Sequence, residues 1–260
     1  MNKSKIEHVK FYSYHLRKKM AMQVYLPACD RNTPLPVLYF LHGRSGNEDI
    51  LFDVDIPNSA DQLIENGEIQ PLIIVCPRIE NSRGVNSSLT CKEVMDPYNR
   101  VIHTGMYEDY FIKEVIPFTD NNYNTIENRD GRFIGGASAG GYAALHYAFR
   151  NPDLFSKVGG HMPALELKLE EEDKSYFKDK GTWEKYDPIN IAKNRNDWSD
   201  LTIYLDAGNE DEGEFYKGCS VLHEILKNKG ANTENNIFPG HHNVAYIKSN
   251  IEKYLKFYAR

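Results

Sequence analysis

The stretch Arg132-Phe-Ile-Gly-Gly-Ala-Ser-Ala-Gly-Gly-Tyr-Ala-Ala-Leu145 sets a short apolar run against a cluster of glycine, alanine and serine. A small-residue helical pattern then continues to Phe149. Inside it, Gly136-Ala137-Ser138-Ala139-Gly140 matches the pattern Gly-x-Ser-x-Gly. About 0.1 such match is expected by chance in a chain of this length and composition, so the five residues alone are only moderately specific. The strand, turn and helix around them supply the missing specificity, because a nucleophilic serine needs that context. A serine at so sharp a turn is expected at positive φ, with its hydroxyl clear of the sheet edge. The flanking glycines let strand and helix backbones approach. The amide of Ala139, in the first helical turn, points at the same spot and can stabilise an oxyanion. A phosphate-binding turn would carry a Walker lysine or a G-x-G-x-x-G, and neither is present.

Outward from this turn, apolar runs alternate with helical patterns along the chain, the signature of an α/β layer architecture. Val37–Leu41, Leu72–Cys76, Phe133–Gly135, Val158–Gly160 and Leu201–Leu205 read as strands, with Asn236–Phe238 as the last. The continuous apolar runs among them suit a mostly parallel central sheet with helices on both faces. Ile6–Tyr14 and Met20–Leu26 read as an antiparallel hairpin at its edge. Helical stripes fall at Tyr107, Phe111, Ile112, Val115 and Ile116, at Phe215, Cys219, Leu222 and Leu226, and from Val244 to Tyr258. These stripes read as core, without chemistry of their own. The segment 166–195 is charged, weakly periodic and sprinkled with aromatic residues. It reads as an insertion over one end of the sheet, either a lid or pocket wall or a solvated excursion. Tyr176 and Trp183 are its candidate substrate contacts. No linker or repeat interrupts residues 1–260, so a single domain is expected.

Composition excludes several function classes. The 260 residues carry a formal charge of −6, with 41% hydrophobic and 26% charged residues. A basic face for nucleic acid is not indicated. No apolar run reaches membrane-spanning length. The first twenty residues contain no apolar leader with a cleavage site, which points to the cytoplasm. Cys29, Cys76, Cys91 and Cys219 are too scattered for a structural zinc site and read as free thiols. No metal or organic cofactor is expected. Seventeen tyrosines are a mild excess, read mainly as packing.

A serine hydroxyl needs a general base and an orienting acid. In enzymes built on such an elbow the order is serine, acid, histidine. His241 and His242 lie in Phe238-Pro-Gly-His-His-Asn, a turn between the last strand and the last helix. His241, directly after glycine, is the expected base, with His242 as its alternative and His161 as an outsider. The acid should follow the preceding strand, where Asp206-Ala-Gly-Asn-Glu-Asp211 offers three carboxylates. Asp211 is expected to orient the imidazole, Asp206 to serve a structural role, and Glu210 is a weaker candidate. The loop His42-Gly43-Arg44-Ser45-Gly46 closes another strand, and its Arg44 N–H is the second oxyanion donor expected. The Arg44 guanidinium is expected to lie exposed and unpartnered, and His42 to pack beneath the loop.

The blocks LYFLHGRSGNED (38–49), YEDYFIKEVIPFTDNNYNTIENRDGRFIGGASAGGYAALHYAFRNPDLFSKVG (107–159), IYLDAGNEDE (203–212) and PGHHNVAY (239–246) together resemble the Putative esterase family. This is the esterase D-like, feruloyl-esterase-like group of α/β hydrolases. The resemblance covers residues 5–258, with the blocks in the family's order. It implies an α/β hydrolase fold, Ser138 as nucleophile, Asp211 and His241 as its partners, and the Arg44 and Ala139 amides as oxyanion hole. The implied activity is that of a serine carboxylesterase on small soluble esters. Feruloyl, cinnamoyl or acetyl esters of carbohydrates and S-formylglutathione-like thioesters are alternatives. The chain departs from the family at Ala139, in PGHHNVAY, and in lacking the formylglutathione-type oxyanion block. Acyl transfer, peptide hydrolysis and non-catalytic binding on the same fold are the rival expectations.

Overall fold

The computed structural model describes residues 3–29 and 32–260. The strands are β1 Lys5–Ser13, β2 Lys18–Leu26, β3 Val37–Leu41, β4 Ile73–Pro77, β5 Lys92–Met95, β6 Val101–Thr104, β7 Arg132–Ala137, β8 Lys157–His161, β9 Thr202–Gly208 and β10 Asn232–Phe238. The helices are α1 Ile50–Asp53, α2 Ile56–Glu65, α3 Tyr107–Tyr110, α4 Ile116–Asn122, α5 Ala139–Arg150, α6 Lys180–Tyr186, α7 Pro188–Asn194, α8 Phe215–Asn228 and α9 Val244–Ala259. Among the described residues, eight strands form one sheet in the order β1-β2-β4-β3-β7-β8-β9-β10. β4, β3, β7, β8, β9 and β10 run parallel, while β2 opposes both of its neighbours.

Side-chain alternation explains the layers. Every residue of β3, β4 and β7 is buried, as expected for strands covered on both faces. Consecutive residues of a strand face opposite sides. A Cβ at Gly135 or Gly159 would overlap Tyr258 of α9. A Cβ one residue later would instead meet Gly140, or Leu145 of α5. The strand glycines thus let α9 lie close on one face and α5 on the other. α7 packs against both α5 and α8, and α2 against α9, completing the two helical layers. At the rims, β1 alternates exposed with half-buried residues, and β10 is polar.

The helix predicted around residues 107–116 continues past Pro117 to Asn122. Proline has no N–H for the carbonyl four residues back, and a π-helical turn at Phe111–Val115 widens the ladder there. α1, α2 and the small β5–β6 hairpin were not expected. KEVM and VIHT are short, half-exposed strands without a clean apolar period.

The chain passes from β3 to β4 on one side, then returns to β7 on the other side of β3. Loops leaving β3 and β7 therefore diverge, opening a crevice at the carboxyl ends of the strands, where ligands bind in open α/β sheets. His42–Gly46, Ser138, Asp211 and the 239–243 turn all follow carboxyl ends of parallel strands. Among the described residues, no helix is long and apolar enough to cross a membrane.

Candidate active site

Ser138 occupies the turn between β7 and α5 at φ 54° and ψ −118°, a conformation rarely tolerated outside glycine. Surrounding bonds hold it there. Its N–H donates to His161 O at 3.0 Å, and its carbonyl accepts from Tyr142 N and Ala164 N at 3.0 Å each. A Cβ at Gly140 would fall on the carbonyl oxygens of Leu41 and His42, so α5 crosses β3 at a distance only glycine allows. The positive φ at Ser138 and the close backbone approach expected of this turn are both present.

The imidazole facing Ser138 is that of His242, not His241. His242 Nε2 lies 2.8 Å from Ser138 Oγ, and Nδ1 lies 2.8 Å from Asp211 Oδ2. A carboxylate only accepts, so Nδ1 carries the proton and donates to Asp211. Nε2 is left with its lone pair toward the hydroxyl. Asp211 is buried, and its second oxygen accepts from Gly213 N at 2.8 Å. The ring of Phe215 sits edge-on to His242 at 5.1 Å.

His241, expected as the base, turns the other way. Its side chain is 55% exposed, and its Nδ1 meets the Glu212 carboxylate at 2.9 Å. Its Nε2 lies 3.4 Å from Glu210. The cause is the way two loops are tied together. Asn209 N donates to Phe238 O, Glu210 N to Gly240 O, and Asn243 N to His241 O. The last of these closes a three-residue turn centred on His242, which aims that side chain inward. Asn243 then caps α9 by accepting from Tyr246 N.

Asp206 plays the structural part expected of it. Fully buried, it accepts from Tyr246 and Tyr254 hydroxyls at 2.7 and 2.8 Å and from His161 Nδ1 at 2.9 Å. His161 Nε2 meets the Tyr258 hydroxyl at 3.0 Å. This network joins β8 and β9 to α9, so His161 is spoken for. Glu210 stands in solvent beside His241. His42 is also buried: its Nε2 accepts from Ile79 N at 2.9 Å and its Nδ1 donates to Gly43 O at 2.8 Å. Burial pushes its pKa down to about 4, keeping it neutral beneath the loop.

Ser138 and His242 open into a cavity of about 450 Å³. Gly43, Arg44 and Ala139 line it, so both residues expected to donate to an oxyanion share the cavity with Ser138. Phe215, Val244 and Ile247 line it as well, together with Ile50 and Met162. The first turns of α8 and α9 thus form an apolar wall, a role beyond the plain core packing read from their stripes. Tyr176 and Trp183 do not reach the cavity. Both are buried on the inner side of the 166–195 segment, and the Tyr176 hydroxyl donates to Asn81 O at 2.8 Å. That segment forms a cap that packs on the body of the fold through α7, which lies against α5 and α8. It sends Glu172 into the cavity wall. The Arg44 guanidinium has a partner after all, a two-bond pair with Glu172 at 2.9 and 3.1 Å. The acidic trio Glu166, Glu172 and Asp173 is neutralised by Arg83, Arg44 and Arg100, so its geometry is explained by ion pairing.

The profile of a family described as Putative esterase matches residues 13–258. A stretch of 134 residues, 46% of this chain, is 31% identical to endo-1,4-beta-xylanase Y of Acetivibrio thermocellus. It spans 11% of that much longer relative. Among solved structures, a ferulic acid esterase superposes with a TM-score of 0.83 at 22% identity, over 100% of this chain and 99% of that one. An S-formylglutathione hydrolase from Agrobacterium tumefaciens superposes with a TM-score of 0.77 at 17% identity, over 99% and 95% of the two chains. Identities this low speak to a common fold, the α/β hydrolase fold.

Proposed function

We propose that this chain, which belongs to the Putative esterase family, is a serine carboxylesterase working through Ser138, His242 and Asp211. The observation that carries the reading is the relay of two 2.8 Å contacts from Ser138 Oγ through His242 to Asp211 at the floor of the cavity. In the first half-reaction the Ser138 hydroxyl proton passes to His242 Nε2 while Oγ forms a bond to the ester carbonyl carbon. The oxygen charge that develops is met by the Arg44 and Ala139 amides. Asp211 holds the imidazole in its donating tautomer and stabilises the imidazolium without taking the proton. As the carbon–alkoxide bond breaks, His242 protonates the departing alcohol. Water then gives its proton to His242 as its oxygen bonds to the acyl carbon, and His242 returns that proton to Ser138 Oγ as the acyl–Oγ bond breaks, freeing the carboxylic acid.

The cavity walls favour an uncharged acyl group of modest size. Phe215, Ile50, Val244 and Ile247 supply apolar and aromatic surface to such a group. A hydroxycinnamoyl ester is the second reading, supported by Phe215 and by the ferulic acid esterase superposition. Initial rates on p-nitrophenyl acetate, p-nitrophenyl butyrate, methyl ferulate and S-formylglutathione, with wild type and Ser138→Ala, test the proposal. Wild type is expected to hydrolyse the p-nitrophenyl esters, with S-formylglutathione the poorest substrate, and Ser138→Ala to lose about 10⁴-fold or more in kcat. Wild-type turnover by Ser138→Ala would refute the assignment.

A further inference from the structure

We propose that Glu172, on the cap, is a positioning residue for the oxyanion loop: its grip on the Arg44 guanidinium fixes the Arg44 backbone amide beside Ser138. The inference rests on the esterase reading above and adds a residue to it.

Three sets of contacts lead to this role. The first is the pair itself. Arg44 Nη1 and Nη2 donate to the two Glu172 oxygens at 3.1 and 2.9 Å. A planar two-bond fork restricts orientation far more than a point contact does. The second is the anchoring of Glu172. Arg100 Nη2 donates to it at 2.5 Å, and the neighbouring Asp173 is paired at 2.7 Å with Arg83, whose side chain is buried. The carboxylate is therefore a fixed post, and its two arginine partners hold it ionised, with a pKa near 2.

The third set lies on the loop. Gly43 O accepts from His42 Nδ1 at 2.8 Å and from Gly46 N at 3.1 Å. In a trans peptide the Arg44 N–H points opposite to that carbonyl, so pinning one aims the other. Ser45 follows at φ 62°, a conformation that a non-glycine residue keeps only when its surroundings impose it. Its N–H donates to Asn81 Oδ1 at 2.6 Å. The donor amide thus sits between a tethered carbonyl and a strained residue. The Arg44 side chain ties the donor residue directly to the cap, beside the indirect link from Ser45 through Asn81 to Tyr176. Glu172 and Arg44 both line the cavity, so the tie closes across the site.

The test is steady-state hydrolysis of p-nitrophenyl acetate by Glu172→Gln, Arg44→Gln, their double variant and Glu172→Asp. Inhibition by phenylboronic acid, which forms a tetrahedral adduct on the serine, is measured alongside. Deleting an oxyanion donor outright costs about 10²–10³ in kcat. Loosening one is expected to cost Glu172→Gln about 10–100-fold in kcat, with KM within about threefold and boronic acid affinity falling in parallel. The double variant is expected to be no worse than the worse single one, and Glu172→Asp to recover part of the loss. A raised KM with unchanged kcat would make Glu172 a mere substrate wall and overturn the proposal, as would losses that multiply in the double variant. Should Glu172→Gln fail to fold, Arg44→Gln carries the same comparison, because the cap keeps its Arg83 and Arg100 pairs. Ser138→Ala separates the two readings: if it stays active, the esterase site itself fails. If Ser138→Ala is dead and Glu172→Gln matches wild type in kcat, only the positioning role fails.

Discussion

His242→Ala is expected to lower kcat for p-nitrophenyl acetate by about 10⁴–10⁶, while His241→Ala stays within a few-fold of wild type. The two residues share a turn and the Glu212 carboxylate, but their imidazoles face opposite ways. His242 stands between Ser138 and Asp211 at 2.8 Å from each, so its loss removes the only base in contact with the hydroxyl among the described residues. His241 pairs with glutamates in solvent, and exposed pairs contribute little to stability or geometry. The comparison is internally controlled, because both variants disturb the same loop. If His241→Ala were the inactive variant and His242→Ala active, the imidazole would have been assigned to the wrong neighbour.

Asp206 and Asp211 are expected to fail in opposite ways. Asp211→Asn should keep the fold and lose about 10⁴ in kcat, since an amide can donate to the imidazole and select the wrong tautomer. Asp206→Ala should unfold the protein more readily, by about 3–5 kcal/mol. It strands His161 and the Tyr246 and Tyr254 hydroxyls in the interior, where unsatisfied polar groups are costly. Urea denaturation and kcat, measured on both variants, separate the roles. A stable Asp206→Ala with greatly reduced kcat would instead place Asp206 in the catalytic relay.

How much of this was legible in the sequence follows from the range of the interactions. The elbow was readable because its requirements are local: glycines at 136 and 140, a serine between them, a strand before and a helix after. The central strands were readable because β3, β4 and β7 are covered on both faces, leaving continuous apolar runs. Asp211 followed from its place beyond a strand end. The choice between His241 and His242 did not, because it depends on hydrogen bonds from the 209–210 loop, thirty residues away in the chain. The Glu172–Arg44 pair joins residues 128 apart, and no pattern near either one announces it. The aromatic residues of the cap misled for a related reason. Tyr176 and Trp183 looked like pocket residues among charges, yet Glu166, Glu172 and Asp173 are folded onto arginines and the two rings are buried in the core. The tyrosine excess resolves in part the same way, since Tyr246, Tyr254 and Tyr258 bolt α9 to the buried Asp206–His161 pair.

The most direct test of the central claim is to trap the acyl-enzyme. Wild-type protein mixed rapidly with p-nitrophenyl acetate should release a burst of nitrophenolate approaching one equivalent. After acid quenching, the peptide containing Ser138 should carry a single acetyl group located on that serine. Ser138→Ala should give neither burst nor modified peptide. Hydrolysis that proceeds with no acyl group on Ser138, or with the acyl group on another residue, would contradict the account.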